Sequence, residues 1–265
     1  MRFFCVLLVL TAGNGGVIFA SQETTEPEET TDAFRSLYER ALKLPKDVLV
    51  ETKEIVQTGD NLFWLLLAGG GSLALDNTSA NDDIADNFDD HRMLSKDADT
   101  VVDLLGGPGI HFGFAGSWYL LSAHNNDING QEESWTMFKA LSVTGATTIG
   151  LKLLRDNDTP NNKNYGWPSG HTASSFTVAS VLNELYGPEI GIPAYLGAGF
   201  VGYRMMDSGD HWASDVLFGA VLGTVVGSHF GKKHNMLKSS GFEMLPYINV
   251  EGHGPMPGIS LTKQF

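Results

Sequence analysis

The sequence predicts an all-α protein: a helical bundle of about six core helices, with short N-terminal helices and a small extended C-terminal tail. Three observations predict it. Apolar residues recur at helical spacing in six longer segments, near 61–75, 100–123, 135–154, 171–186, 193–206 and 210–231. Gly and Ala run through these segments, as in "GAGFVG" and "FGAVLGTVVG", and small residues let helices pack closely. No alternating strand pattern occurs across the same region.

The elements follow in order. Residues 1–20 read as a secretory signal peptide, with Arg2, an apolar run from Phe3 to Leu10, and Ala20 as the small residue before cleavage. Gly13, Asn14, Gly15 and Gly16 interrupt that run, against a membrane anchor. Residues 21–32 are acidic and poor in apolar side chains, a disordered linker. The helical domain is expected over 33–234. It opens with two short helices: one carries Phe34, Leu37, Tyr38 and Leu42, and a second follows Pro45, which suits a first helical turn. From 235 to 265 the chain reads as an extended tail or hairpin around a Gly/Pro turn.

Bulk properties narrow the function. A chain of 265 residues, 42% of them hydrophobic, can bury one sizeable core. A net charge of −14 excludes nucleic acid as a partner, because phosphate backbones call for a basic surface. A phosphorylated substrate then needs a local basic pocket. Cys5 is the only cysteine and lies in the signal segment, so neither a disulfide nor a thiolate metal site is expected. Mean hydropathy is slightly negative. Most segments fall short of the roughly 20 apolar residues that span a bilayer, and Lys139, Lys152 and Arg204 lie within them. The sequence therefore predicts a soluble, exported bundle, periplasmic or secreted, whose membrane contact would be at most peripheral.

Three stretches carry chemistry only together. In "WPSGHTASS", Pro168 stops any preceding helix, Gly170 permits close backbone approach, and a helix begins near His171. A helix N-terminus offers unpaired N–H groups to an anion. Ser169 adds a hydroxyl, and His171 stands where it could give up a proton. Alone, the string would be a turn and a cap. In "RMMDSGDHWASDV", His211 and Asp215 are four residues apart and are expected on one face of a helix. An aspartate can fix the imidazole tautomer and leave the other nitrogen to act. Alone, this would be a surface pair worth under about 1 kcal/mol. Arg204 lies near the end of an apolar helix and calls for an anionic partner. In "GLKLLRDNDTPN", Lys152 ends an apolar helix and either snorkels to solvent or points at an anion.

In this order the three stretches resemble the type 2 phosphatidate phosphatase family, within the superfamily of bacterial acid phosphatases and vanadium-dependent haloperoxidases. The family pattern is Lys-x6-Arg-Pro, Pro-Ser-Gly-His, and Ser-Arg-x5-His-x3-Asp. The resemblance covers about 135–231. It implies a phosphatase acting on phosphomonoesters, lipid phosphates and isoprenoid diphosphates among them. His211 would attack phosphorus, Asp215 would orient it, and His171 would protonate the leaving oxygen. Lys152, Arg204, Ser169 and Gly170 would hold the phosphoryl oxygens, and no metal or other cofactor is needed.

The sequence also departs from that pattern. Thr159 stands where the family has arginine, and Tyr203 replaces the serine before Arg204. Six residues separate Arg204 from His211. Arg155 is a candidate replacement, while Asp156 and Asp158 would repel an anion. One lost charge-assisted contact costs about 1.5–3 kcal/mol in binding, which bears on substrate class and rate. Two alternatives follow: a vanadium-dependent haloperoxidase with vanadate as cofactor, or a non-catalytic phosphate-binding relative. Helix order places all three stretches, with the acidic segment 76–97, at one end of an up-and-down bundle. That segment is expected as a solvated loop whose position suits a lid. His111, near the break "LGGPG", is expected to be a satisfied structural histidine, and His229 to lie far from the chemistry.

Overall fold

A computed structural model of the chain describes the backbone over residues 28–239, 242–249 and 256–263, and side chains over 35–238. The expected signal peptide and most of the expected linker lie outside the described residues. The helices are α1 (Glu28–Gln57), α2 (Gly59–Asp76), α3 (Ala80–Asp90), α4 (Lys96–Gly106), α5 (Pro108–His124), α6 (Ile128–Leu154), α7 (Gly170–Tyr186), α8 (Pro188–Asp207) and α9 (Ala213–Ser239). Strands β1 (Phe242–Asn249) and β2 (Met256–Lys263) pair antiparallel after them.

The all-α expectation holds, with a tightly packed core of α5–α9 and the N-terminal helices more peripheral. Tyr119, Met137, Leu141, Val181, Leu222 and Phe230 are buried between these helices. The most intimate pair is α7 with α9. Gly219, Gly223, Gly227 and Gly231 recur every fourth residue along α9 and face α7. A Cβ at Gly223 would lie 2.2 Å from the Ala173 carbonyl oxygen, so the helices can approach this closely only over glycine. Hydroxyls between the helices satisfy one another: Thr144 and Thr177 are 2.7 Å apart, and Ser180 donates to the Thr224 carbonyl at 3.0 Å.

Several expectations are corrected. α1 runs unbroken through Pro45. Proline forfeits one backbone bond, but partners on both sides keep the two halves in one helix: Arg40 to Glu132 on α6, and Glu51 to His229 and Lys233 on α9. The expected 100–123 helix is two, divided where Gly107 turns extended before Pro108. Residues 80–90 form helix α3 rather than a solvated loop. Buried Asn81 on α3 accepts from the Ser214 backbone N–H at 3.2 Å and donates to its hydroxyl at 2.9 Å, satisfying the start of α9. The following segment is tethered as well, because buried Asp207 accepts from the Met93 and Leu94 N–H groups at 2.9 and 3.2 Å.

The outer faces do not suit a soluble bundle. Phe63, Trp64, Leu66 and Leu67 on α2, Phe114 and Leu121 on α5, and Leu196 and Phe200 on α8 are all exposed. Exposed large apolar side chains in this number point to an interaction face. Among the described residues, one helix, Ala213–Lys238, is long and apolar enough to cross a membrane.

Candidate active site

The site is built where the N-termini of α7 and α9 meet. Ser169 caps α7: its buried Oγ accepts from the Thr172 N–H at 3.4 Å and the Thr172 hydroxyl at 3.0 Å. Both bonds are accepted, which leaves the Ser169 O–H to donate. Its backbone N–H donates to the Asp215 carbonyl at 3.2 Å and ties the two helix starts together. Gly170 and His171 are the first two residues of α7.

His211 lies in the turn before α9, not within the helix as its spacing suggested. The pairing with Asp215 forms nonetheless, with Nδ1 and Oδ2 3.2 Å apart. Asp215 is 0% exposed and also accepts from the Trp212 backbone N–H at 3.1 Å. A carboxylate at Nδ1 assigns the proton to that nitrogen and leaves a lone pair on Nε2. Nε2 makes no hydrogen bond among the described residues. His171 lies within electrostatic reach of His211, Arg204 and Asp210.

The cations are engaged differently from the expectation. Arg204 is buried among three carboxylates. Its Nε and Nη2 donate to Asp99 at 2.8 and 3.0 Å, Nη1 donates to Asp210 at 2.6 Å, and Nη1 lies 2.8 Å from Asp103. The Lys152 ammonium donates to the Tyr165 and Gly166 carbonyls, the second at 3.0 Å, and so holds the loop before Pro168. Arg155 pairs with Asp76 and lies over the Trp167 ring, 5.2 Å from its centroid, so it does not replace the missing arginine. Thr159 is buried and donates to Asn161 at 2.6 Å. Burial alone would raise the Asp210 carboxyl. Bonds from Lys163, Ser208 and Asn161 and the Arg204 charge outweigh that and hold it well below the usual carboxylate range.

The fold thus brings together Ser169, Gly170, His171, His211, Asp215 and Arg204, while Lys152 is turned to loop carbonyls. The sequence reading missed Asp99, Asp103 and Asp210. Their signal was the four-residue step from Asp99 to Asp103, which puts both on one face of α4. The His111 ring lies against the Leu105 backbone, and its buried Nδ1 makes no full hydrogen bond among the described residues.

The PAP2 superfamily profile matches residues 133–237, which span α6 to α9 and every motif residue. Residues 133–237 are thus a PAP2-like region. The chain is 32% identical over 119 residues to the lipid A 1-phosphatase of Porphyromonas gingivalis. That match takes in 40% of this chain and 26% of the relative, so the chain spans about a quarter of the curated relative's length. Two solved structures are similar in fold. LpxE of Aquifex aeolicus gives a TM-score of 0.50 at 21% identity, covering 59% of this chain and 97% of that one. The first transmembrane PAP2 type phosphatidylglycerolphosphate phosphatase from Bacillus subtilis gives 0.54 at 19% identity, covering 66% and 94%.

The expectation of a soluble, secreted or periplasmic protein is corrected here. The chain is similar in fold to a phosphatase described as transmembrane, α9 is of spanning length, and apolar side chains face outward from α2, α5 and α8. The sequence misled because glycine, serine and threonine dilute the hydropathy of helices whose few charges are paired inside the bundle.

Proposed function

We propose that this chain is a membrane-associated phosphatase that hydrolyses lipid-type phosphate monoesters through a phosphohistidine on His211. The observation that carries the reading is the pairing of His211 with a fully buried Asp215 beside the capped N-terminus of α7. His211 Nε2 attacks phosphorus and the P–O ester bond breaks. The leaving oxygen takes its proton from His171, while Asp215 stabilises the charge left on the His211 ring. A water then attacks phosphorus and gives its proton to His171. The P–N bond breaks, its electron pair returns to Nε2, and phosphate leaves. The α7 N–H groups, the Ser169 hydroxyl and Arg204 receive the equatorial oxygens. Water apart, every group that acts on the substrate in this route belongs to the chain, and none of the steps calls for a metal.

Exposed Leu104 and Leu105 follow Asp103, and exposed Leu153 and Leu154 follow Lys152. Apolar surface at the rim of a phosphate site suits an ester with acyl chains. The carboxylates around Arg204 compete with a resident oxyanion, which disfavours the vanadate-dependent alternative.

The test is phosphate release from phosphatidate in detergent micelles with a metal chelator present, alongside His211→Ala. The expected outcome is chelator-insensitive release that the variant loses by at least about 10³-fold. Undiminished release by His211→Ala would refute the nucleophile.

A further inference from the structure

Each histidine of this site faces an aspartate, and the second pair has no counterpart in the family pattern read from the sequence. His211 has Asp215. His171 Nε2 lies 3.4 Å from Asp103 Oδ1 on α4. The same oxygen lies 2.8 Å from Arg204 Nη1. The two aspartates differ in setting: Asp215 is sealed in the core, whereas the Asp103 side chain is 47% exposed.

We propose that Asp103 is a positioning residue of this site, orienting His171 as proton donor and occupying Arg204 until a phosphoryl group takes its place. The inference rests on the phosphatase reading above. An imidazole with a carboxylate at one nitrogen has its ring plane fixed and its protonated form favoured. A general acid needs both. Asp103 and Asp210 are anions within reach of the His171 ring, and Arg204, His211 and His111 are the other titratable groups that act on it.

The fold fixes where Asp103 can be. Asp207 on α8 tethers Met93 and Leu94 just before α4, and Ser95 caps the helix by accepting from the Ala98 N–H at 3.3 Å. At the other end a Cβ on Gly106 would fall 2.6 Å from a Val201 methyl, so α4 abuts α8 directly. Held at both ends, α4 presents Asp99 and Asp103 to Arg204. Asp99 binds through two oxygens and anchors the guanidinium, which leaves the Nη1 corner shared by the more exposed Asp103 as the place an incoming phosphoryl oxygen can claim.

The experiment exploits leaving-group chemistry. Expulsion of p-nitrophenolate needs little proton donation, whereas an alkyl alkoxide needs much. The full chain in detergent is assayed with p-nitrophenyl phosphate and with an alkyl phosphate, as wild type, Asp103→Asn and Asp103→Glu. Folding is checked by thermal melting, and the inhibition constant of inorganic phosphate is measured for each. The expected result for Asp103→Asn is a fall in kcat on the alkyl ester at least about tenfold larger than the fall on p-nitrophenyl phosphate. The inhibition constant should not rise, because a competitor for Arg204 is gone, and Asp103→Glu should recover part of the alkyl activity. Equal falls on both esters, or a phosphate constant weakened in step with kcat, would overturn the positioning role. So would an unchanged alkyl rate. A wild-type chain that releases phosphate from neither ester would overturn the phosphatase reading and this one with it.

Discussion

Asp210 gathers four donors into one carboxylate: Asn161 at 2.7 Å, Lys163 at 2.6 Å, Arg204 at 2.6 Å and Ser208 at 2.9 Å. Its pKa is depressed on folding, so the folded state binds its proton less readily than the unfolded chain does. The stability it contributes is therefore complete above the unfolded value, about 3.9, and is lost as pH falls through and below it. The melting temperature in detergent should drop between about pH 5 and pH 3, and Asp210→Asn should flatten part of that slope. An unaltered slope in the variant would place the acid sensitivity elsewhere. At this scale the sequence is readable where partners are neighbours. His211 and Asp215 announce themselves by a four-residue step, and the cap from Ser169 to Thr172 by a three-residue one. Asp103 and His171 meet only because α4 is folded back onto α8, and no local spacing records that. The fate of Lys152 was equally hidden, since backbone carbonyls that claim an ammonium leave no residue type to notice.

Among the elements, α7 and α9 were the most legible, because Pro-Ser-Gly-His opens one and the glycine steps mark the other. α3 was missed because seven of its eleven residues, "NDD" and "DNDD" without "IA" and Phe88, are polar and read as loop; tertiary hydrogen bonds through Asn81 override that composition. The break at Gly107 was visible as Gly-Gly-Pro, but two helices were read as one because apolar spacing continues across it. The α7–α9 contact yields a sharp prediction. Gly223→Ala places a methyl against the Ala173 carbonyl, where backbone rather than a flexible side chain must give way. The variant should lose about 1–3 kcal/mol of stability by overpacking, measurable by denaturant or thermal unfolding in detergent. Phosphatase activity should fall with it, since Ser169 and His171 ride on α7 and Asp215 on α9. A variant as stable as wild type would mean the helices can part without cost.

The whole molecule was the scale at which sequence reasoning erred. Charges inside apolar helices suggested water outside, but Glu51, His229 and Lys233 meet one another within the bundle, and the Lys139 ammonium lies 5.7 Å from the centre of the Phe230 ring. What faces outward on α2, α5 and α8 is phenylalanine, tryptophan and leucine. The expressed chain should therefore sediment with membranes, resist extraction by alkaline carbonate, and enter solution only with detergent. Recovery in the carbonate supernatant would contradict the membrane reading. The glycine steps on α9 also bear on how such a molecule can change over time. They hold α7, with His171, and α9, with Asp215, in one rigid chassis, while the rim around it is loop and helix end. The turn ahead of His211 carries Gly209, whose φ of +70° favours glycine, and Thr159 bonds to Asn161 in the loop rather than to either histidine. A lineage built this way can redraw the rim that meets its substrate and leave the chassis as it was.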